Sequence, residues 1–171
     1  MNKTVLIFRE QQKFSTWFYW LVILSLVFAA LLSLFVLKKK FPGQSSPETG
    51  EVLIVVIVGI GIPLAIMLLF LLVKLETQVL SNGLYIRFFP VHIHFKKFSP
   101  EDLKECYARQ YKPILEYGGW GIRYGWFGKG KVYNIRGNQG VQLVFRSGRK
   151  LLIGSQRPQE FEQAIRSIMS R

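Results

Sequence analysis

The sequence predicts an α+β membrane protein, in which a two-helix transmembrane hairpin precedes a β domain with a C-terminal capping helix. Three observations support this class: two long uncharged runs, an alternation of apolar and polar residues after them, and an amphipathic helical pattern at the C-terminal end. The runs extend from Phe14 to Leu37 and from Val52 to Val73, with 24 and 22 residues. About 20 helical residues cross a bilayer. A single span has to be helical because lipid offers no partners to backbone groups.

The predicted organisation has three parts. Residues 1–13 form an N-terminal interfacial tail, or a strand added to the β domain. Residues 14–73 form the transmembrane hairpin, with helices 14–37 and 52–73 and a loop at 38–51. Residues 74–171 form a cytoplasmic β domain. A signal peptide is a poor alternative for the first run, because Lys38, Lys39 and Lys40 follow where a small-residue cleavage site should lie.

The distribution of basic residues predicts the orientation of the hairpin. Three basic residues occupy the tail and four follow the second run, against the lysine triplet 38–40 in the loop. This bias predicts a multi-pass protein of the cell membrane with both termini in the cytoplasm, although the triplet opposes it. The seven residues near the ends are Lys3, Arg9, Lys13, Lys74, Arg87, Lys96 and Lys97.

Small residues in both runs predict close packing of the two helices. Ser25, Ala29 and Ser33 recur at four-residue spacing in the first run, and Gly61 and Ala65 do so in the second. The segment 59–63, Gly-Ile-Gly-Ile-Pro, indicates either a hinge or close-contact site, or a helix kink that the neighbouring helix covers. The kink is the favoured interpretation. The segment 41–47 is predicted to be a structureless turn.

After the second run the pattern becomes that of strands joined by tight turns. Two apolar runs flank Ser81-Asn82-Gly83, and Asn-Gly between such runs is a strong hairpin signal. Residues 91–98 alternate again, 99–102 are typical of a helical turn capped by Ser99, and 104–111 can form another strand. Residues 140–146 and 150–154 are predicted to pair through the turn Ser147-Gly148.

A closing helix is predicted from Pro158 onward. Proline suits a first helical turn, and the acidic Glu160 and Glu162 complement the positive end of the helix dipole. Apolar residues recur at helical spacing and form one stripe, which predicts a helix packed on the sheet. These residues are Phe161, Ala164, Ile165, Ile168 and Met169.

With these elements in hand, the chain resembles the bacterial pleckstrin-homology-like membrane proteins, which have two membrane helices, a meander of about seven strands and a C-terminal helix. Residues 116–123, 133–141 and 153–158 resemble one subgroup of unknown function. The resemblance implies a curled sheet or partial barrel of pleckstrin-homology type. Phosphoinositide binding is not implied, because the first hairpin loop of this chain is short and only Arg87 lies near it.

The positive charge of the chain limits the classes of binding partner that we expect. The chain has a net charge of +13, and residues 74–171 hold 17 Lys or Arg against 7 Asp or Glu, a net charge of +10. Anionic lipid headgroups are therefore the expected partner, and another membrane protein is a further candidate. Nucleic acid is not expected, because no recognition motif accompanies the charge. The oligomeric state stays open. The single Cys106 excludes an internal disulfide and suits a reducing compartment.

No complete catalytic, metal or cofactor motif is present. Gly118 to Lys131 contains neither a phosphate loop nor a dinucleotide fingerprint. His92 and His94 are too few to hold a metal, and no cofactor is expected. The glycine segment still mixes aromatic and basic residues, which predicts a surface for lipid or a partner unless it is merely a bent strand. The candidate surface residues are Trp120, Arg123, Trp126, Phe127, Lys129 and Lys131.

The expected function is therefore non-enzymatic: an integral membrane protein that presents its β domain at the cytoplasmic face for protein or lipid contact, as a scaffold. The alternative is a small membrane-bound enzyme, or an accessory subunit of one, with its site at Gly118–Lys131. A pocket that joins Glu116, Arg123 and His92 or His94 would favour that alternative.

Overall fold

The computed structural model describes residues 4–40, 49–126 and 128–170. Within these ranges it describes only the backbone of residues 18, 36–40, 49, 51, 52 and 55. The predicted turn at 41–47 lies outside the described residues. The chain forms two compact units. One joins Met1–Lys13 to Val73–Arg171 and contains the β-sheets, and the other is Phe14–Leu72 and is helical. The β unit is therefore built from both ends of the chain.

The helical unit contains helices α1 (Thr16–Lys40), α2 (Thr49–Val56) and α3 (Ile62–Leu72). A π-helical turn, Ile57–Gly61, joins α2 to α3 just before Pro63. A Cβ built on Gly59 would lie 2.0 Å from Ser33 Oγ of α1, so glycine is required for this approach. The irregular backbone lies where a kink was predicted.

None of the helices in the described part of the chain is both long enough and apolar enough to cross a membrane. The second apolar run is helical from Thr49 to Leu72 and consists of α2, the π-helical turn and α3, of 8, 5 and 11 residues.

This finding corrects several predictions. The transmembrane hairpin at 14–73 is wrong, and so is the membrane-protein fold class. The multi-pass location in the cell membrane, with both termini in the cytoplasm, depended on that hairpin and is overturned with it. So are the integral-membrane scaffold and its membrane-bound enzyme alternative. What the structure shows is an α+β fold with two sheets.

The first sheet has the strand order β1-β2-β3-β4 and is antiparallel throughout. Its strands are β1 (Leu6–Lys13), β2 (Lys74–Leu80), β3 (Gly83–Phe89) and β4 (Lys96–Phe98). The predicted hairpin at Ser81–Gly83 is confirmed, since β2 and β3 pair across that turn. The strand predicted over 91–98 is only partly present, because just its last three residues form β4.

The second sheet has the order β5-β8-β9-β7-β6. Its strands are β5 (Leu103–Gln110), β6 (Gly121–Tyr124), β7 (Lys131–Asn134), β8 (Gln139–Phe145) and β9 (Lys150–Gly154). The β8–β9 hairpin is confirmed, but β7 pairs with β9 in parallel, which no turn signal indicated. A 3₁₀ turn, Pro100–Asp102, precedes β5, and α4 (Pro113–Tyr117) follows it.

The closing helix α5 spans Pro158–Met169 and confirms the prediction. Phe161, Ala164, Ile165 and Ile168 are buried, as their spacing required. Phe161 stacks on Phe8 of β1 with ring centroids 5.1 Å apart. The helix therefore packs on β5 and β8 of one sheet and on β1 and β2 of the other, over a shared core.

Candidate functional site

A cationic pocket of about 280 Å³ lies in the β unit, and we take it as the candidate site. β4 of the first sheet and β6, β7 and β9 of the second sheet contribute lining residues, together with the residues just before β7 and β9. Among the described residues that line this pocket, four are cationic and none is acidic. The lining residues are Lys96, Phe98, Tyr124, Gly130, Lys131, Tyr133, Arg149, Lys150 and Leu151.

Aromatic rings hold two cations near this cationic pocket. Lys131 Nζ lies 4.9 Å from the ring centroid of Tyr133 and 5.3 Å from that of Tyr124. Arg149 Cζ lies 4.4 Å from the ring centroid of Phe145. A ring face attracts a cation without neutralising it. The rings therefore hold the charges of Lys131 and Arg149 in position, and both charges remain available to an anion.

His92 lies beside this pocket, and its ring centroid is 5.7 Å from that of Tyr133. Burial lowers the pKa of His92, and the positive charges of Lys96 and Lys131 lower it further. The imidazole is consequently neutral near pH 7 and adds no charge to the pocket.

A second polar cluster surrounds Glu116, at the end of β5 and in α4. Its Oε2 accepts from Arg109 Nη1 and from Lys129 Nζ, each at 3.0 Å, and its Oε1 accepts from the Lys112 backbone N–H at 2.8 Å. Burial raises the pKa of Glu116, but the Lys112, Lys129 and Arg109 contacts outweigh burial and hold it below its ordinary value. Glu116 is therefore an ionised carboxylate held by three donors, and these contacts fix the positions of Arg109 and Lys129.

The glycine segment Gly118–Lys131 contains β6 and the first residue of β7, which pair in antiparallel orientation. Trp126 is 63% exposed near its tip. Trp120 is anchored by donating Nε1–H to Gly137 O at 3.0 Å, and Arg123 Nε–H donates to Trp120 O at 3.4 Å. Phe127 lies outside the described residues.

Of the predicted surface residues that the structure describes, only Lys131 lines the cationic pocket. Lys129 instead forms an ion pair with Glu116. The predicted enzyme pocket is not formed by the described contacts, because Glu116 contacts Arg109 and Lys129 while His92 contacts Tyr133.

Sequence reasoning missed Lys96, Arg149 and Lys150 as site residues. Arg149 and Lys150 follow the turn Ser147-Gly148, where basic residues usually indicate a solvated hairpin end. Lys96 lies 35 positions before Lys131 in the sequence. No local signal shows that these residues meet, because the packing of two sheets brings them together.

The other candidates give no site. Among the described residues, no group of three or more His, Cys, Asp or Glu could hold a metal ion. Cys106 is buried, and burial raises the pKa of its thiol to about 11. The thiol is therefore protonated near pH 7 and is a weak nucleophile.

Fold and site together define an α+β protein with a cationic pocket in its β unit. The chain belongs to a family of unknown function (DUF6141), whose model matches residues 1–171. No curated protein and no solved structure gives a significant match to it.

Proposed function

We propose that this protein is a non-enzymatic binding protein whose β unit, of pleckstrin-homology-like type, binds an anionic phosphate-bearing group in the cationic pocket. The observation that carries the proposal is charge: Lys96, Lys131, Arg149 and Lys150 line the pocket, with no carboxylate among its described lining residues. Uncompensated like charges repel one another, so an arrangement of this kind is stabilised by a bound anion.

The chemistry of the lining supports phosphate in particular. A guanidinium forms paired hydrogen bonds with phosphate oxygens, and ammonium groups bind phosphate as point charges. Tyr124 is 75% exposed and offers a ring beside the anion. Lipid headgroups, the partner expected from composition, carry this same phosphate chemistry.

The direct test is calorimetric titration of the full-length protein with diphosphate. We expect binding that weakens as salt rises, because the contact is ionic. Lys131→Gln and Arg149→Gln should each weaken binding by about tenfold, since a charge-assisted hydrogen bond contributes roughly 1.5–3 kcal/mol. The matched control is Lys104→Gln, an exposed lysine that lines a different pocket beside Cys106.

Two results would contradict the proposal. One is the absence of diphosphate binding at low salt. The other is equal loss in the Lys104→Gln control, which would indicate a response to net charge rather than to the pocket. Vesicles of phosphatidylglycerol, compared with phosphatidylcholine, test the lipid partner separately.

A further inference from the structure

His92 lies in the segment between β3 and β4, where two contacts hold it beside the cationic pocket. Its backbone N–H donates to Phe88 O at 2.7 Å. Its ring centroid lies 5.7 Å from that of Tyr133, which is a lining residue. The Phe88 ring packs on Tyr133 as well, with centroids 6.4 Å apart. The turn and the ring contact therefore fix the position of the imidazole next to the pocket.

The charged groups that act on His92 come from β4 and β7. They are Lys96 of β4 and Lys131 of β7, and both of them line the pocket. Lys131 Nζ lies 4.9 Å from the centroid of the same Tyr133 ring that His92 contacts. Phe88 of β3 and the phenol of Tyr133 add no charge near pH 7. Among the described residues, no carboxylate acts on His92.

Protonation of His92 and binding of an anion in the pocket depend on the same two lysines. Burial lowers the pKa of His92, and Lys96 and Lys131 lower it further, because a third positive charge beside them is unfavourable. An anion bound against these lysines offsets their charge and so favours the imidazolium. The effect is reciprocal by linkage, and protonation of His92 must strengthen anion binding by the same factor.

We propose that His92 is the pH-dependent residue of the cationic pocket: it takes up a proton when an anion binds, so that the pocket binds anions more tightly as the pH falls. The inference rests on the proposed function, because it assigns a regulation to the same pocket. The pKa of His92 is lower in the free protein than in the complex. The gain in affinity is therefore fully present below the free-protein pKa and is lost as the pH rises through the pKa in the complex.

The experiment is calorimetric titration of the full-length protein with cyclic trimetaphosphate at fixed ionic strength. A phosphate monoester changes its own charge near about pH 6, whereas the charge of trimetaphosphate is constant over the range used. We expect the affinity to rise roughly fivefold from about pH 7.5 to about pH 5.5. The lysine and arginine side chains of the pocket stay charged throughout this range.

Two variants assign the rise to one residue. His92→Gln should bind trimetaphosphate as the unchanged protein does at the higher pH, because His92 is neutral there, and should lose the rise at the lower pH. His94→Gln is the matched control, at an exposed position in the same segment. It should keep the whole rise.

A second measurement needs no variant. Titrations at about pH 6, near the ordinary pKa of histidine, are repeated in two buffers that differ in ionisation enthalpy. The difference between the observed heats gives the number of protons bound together with the anion. We expect uptake of a fraction of one proton by the unchanged protein and by His94→Gln, and none by His92→Gln.

The outcomes separate this inference from the proposed function. If trimetaphosphate binds equally well at both pH values, or without proton uptake, the role of His92 is wrong and the binding proposal stands. The same holds if His92→Gln keeps the rise or His94→Gln loses it. If neither trimetaphosphate nor diphosphate binds at either pH, both proposals are wrong.

Discussion

At the scale of single residues, Glu116 illustrates how one carboxylate organises its surroundings. It links the end of β5 to α4 through Arg109 and the Lys112 N–H, and it links α4 to the glycine segment through Lys129. The Trp126 N–H also donates to Glu116 O at 3.2 Å. These contacts connect three segments that share no strand pairing, so we expect the local structure to depend on the charge of Glu116.

Glu116→Gln should lower the free energy of unfolding by roughly 1–3 kcal/mol at pH 7, because it removes two ion pairs and keeps the size of the side chain. The folded-state pKa of Glu116 lies below its ordinary value. Its stabilising contribution is therefore present above the unfolded pKa and is lost as the pH falls through the folded pKa. Urea unfolding at pH 7 and at stepwise lower pH measures both effects.

The control for this substitution is Glu101→Gln, at an exposed position in the 3₁₀ turn. It should change the unfolding free energy much less. A constant difference between the Glu116→Gln variant and the unchanged protein down to about pH 3, below the ordinary range of a carboxyl pKa, would contradict the assigned role.

Asn134 and Tyr111 show the opposite case, a neutral buried pair. Asn134 Nδ2–H donates to Tyr111 Oη at 3.0 Å, and the Gly121 N–H donates to Asn134 Oδ1 at 2.9 Å. Burial raises the pKa of Tyr111 to about 12. The hydroxyl thus stays protonated at physiological pH and joins β7 to the end of β5.

At the scale of elements, the outer edge of β5 is covered by side chains of α5. Glu162 Oε2 accepts from the Ala108 N–H at 2.7 Å, and Arg166 Nη2–H donates to Cys106 O at 3.0 Å. The Ala108 N–H holds the pKa of Glu162 below its ordinary value against the opposing effect of burial, with help from Arg166. An uncovered strand edge invites pairing with another chain, so this helix protects the sheet.

Glu162→Ala should uncover this edge. We expect a loss of about 1–2 kcal/mol in the free energy of unfolding and self-association at high concentration, measured by urea unfolding and by light scattering after size exclusion. Glu160→Ala is the matched control, because Glu160 lies in the same helix and pairs only with the exposed Arg157 among the described residues. Equal behaviour of the two variants would refute the edge-covering role.

Gly59 performs a different task in the helical unit, where it allows the π-helical turn to approach α1. Gly59→Ala should cost about 1–3 kcal/mol, because its Cβ would overlap Ser33 Oγ, which already donates to Ala29 O. Gly61→Ala meets nothing closer than 4.0 Å and should be neutral or stabilising. Thermal melting followed by circular dichroism at 222 nm distinguishes them, and identical melting would contradict the close packing.

At the scale of the whole molecule, the helical unit is an insertion in a β-hairpin. Lys13, the last residue of β1, pairs directly with Lys74, the first of β2. β1 is also held by side chains: Gln12 Nε2–H donates to Gly154 O at 2.6 Å, and Glu10 accepts from the Gln156 N–H at 2.8 Å. The strand before the insertion and the strands after it therefore form one β unit through their own contacts.

Replacing residues 14–73 by Asn-Gly should consequently leave a folded β unit, because a two-residue turn is enough to join strands paired in this register. We expect dispersed amide resonances in an NMR spectrum and a cooperative thermal transition. The control begins the chain at residue 74 and lacks β1. It should fail to fold, since it loses Phe8 from the core, and burial of a large aromatic residue is worth about 3–5 kcal/mol. An unfolded Asn-Gly variant would refute the insertion view.

The sequence by itself determined the features that depend on a few neighbouring residues. The turns at Ser81–Gly83 and Ser147–Gly148, the helix from Pro158 and its buried stripe all follow from local turn chemistry and periodicity. The concentration of positive charge after residue 74 was equally visible. Hydrophobic length alone, however, predicted two membrane spans, whereas no helix in the described part of the chain is both long and apolar enough for one.

Only the tertiary structure decided which distant residues meet. The parallel pairing of β7 with β9, the docking of β1 against β2, and the convergence of Lys96, Lys131 and Lys150 join residues far apart in sequence. Such contacts form because two sheets and α5 bury one shared core. That burial is a property of the assembled elements and leaves no signature in any single one of them.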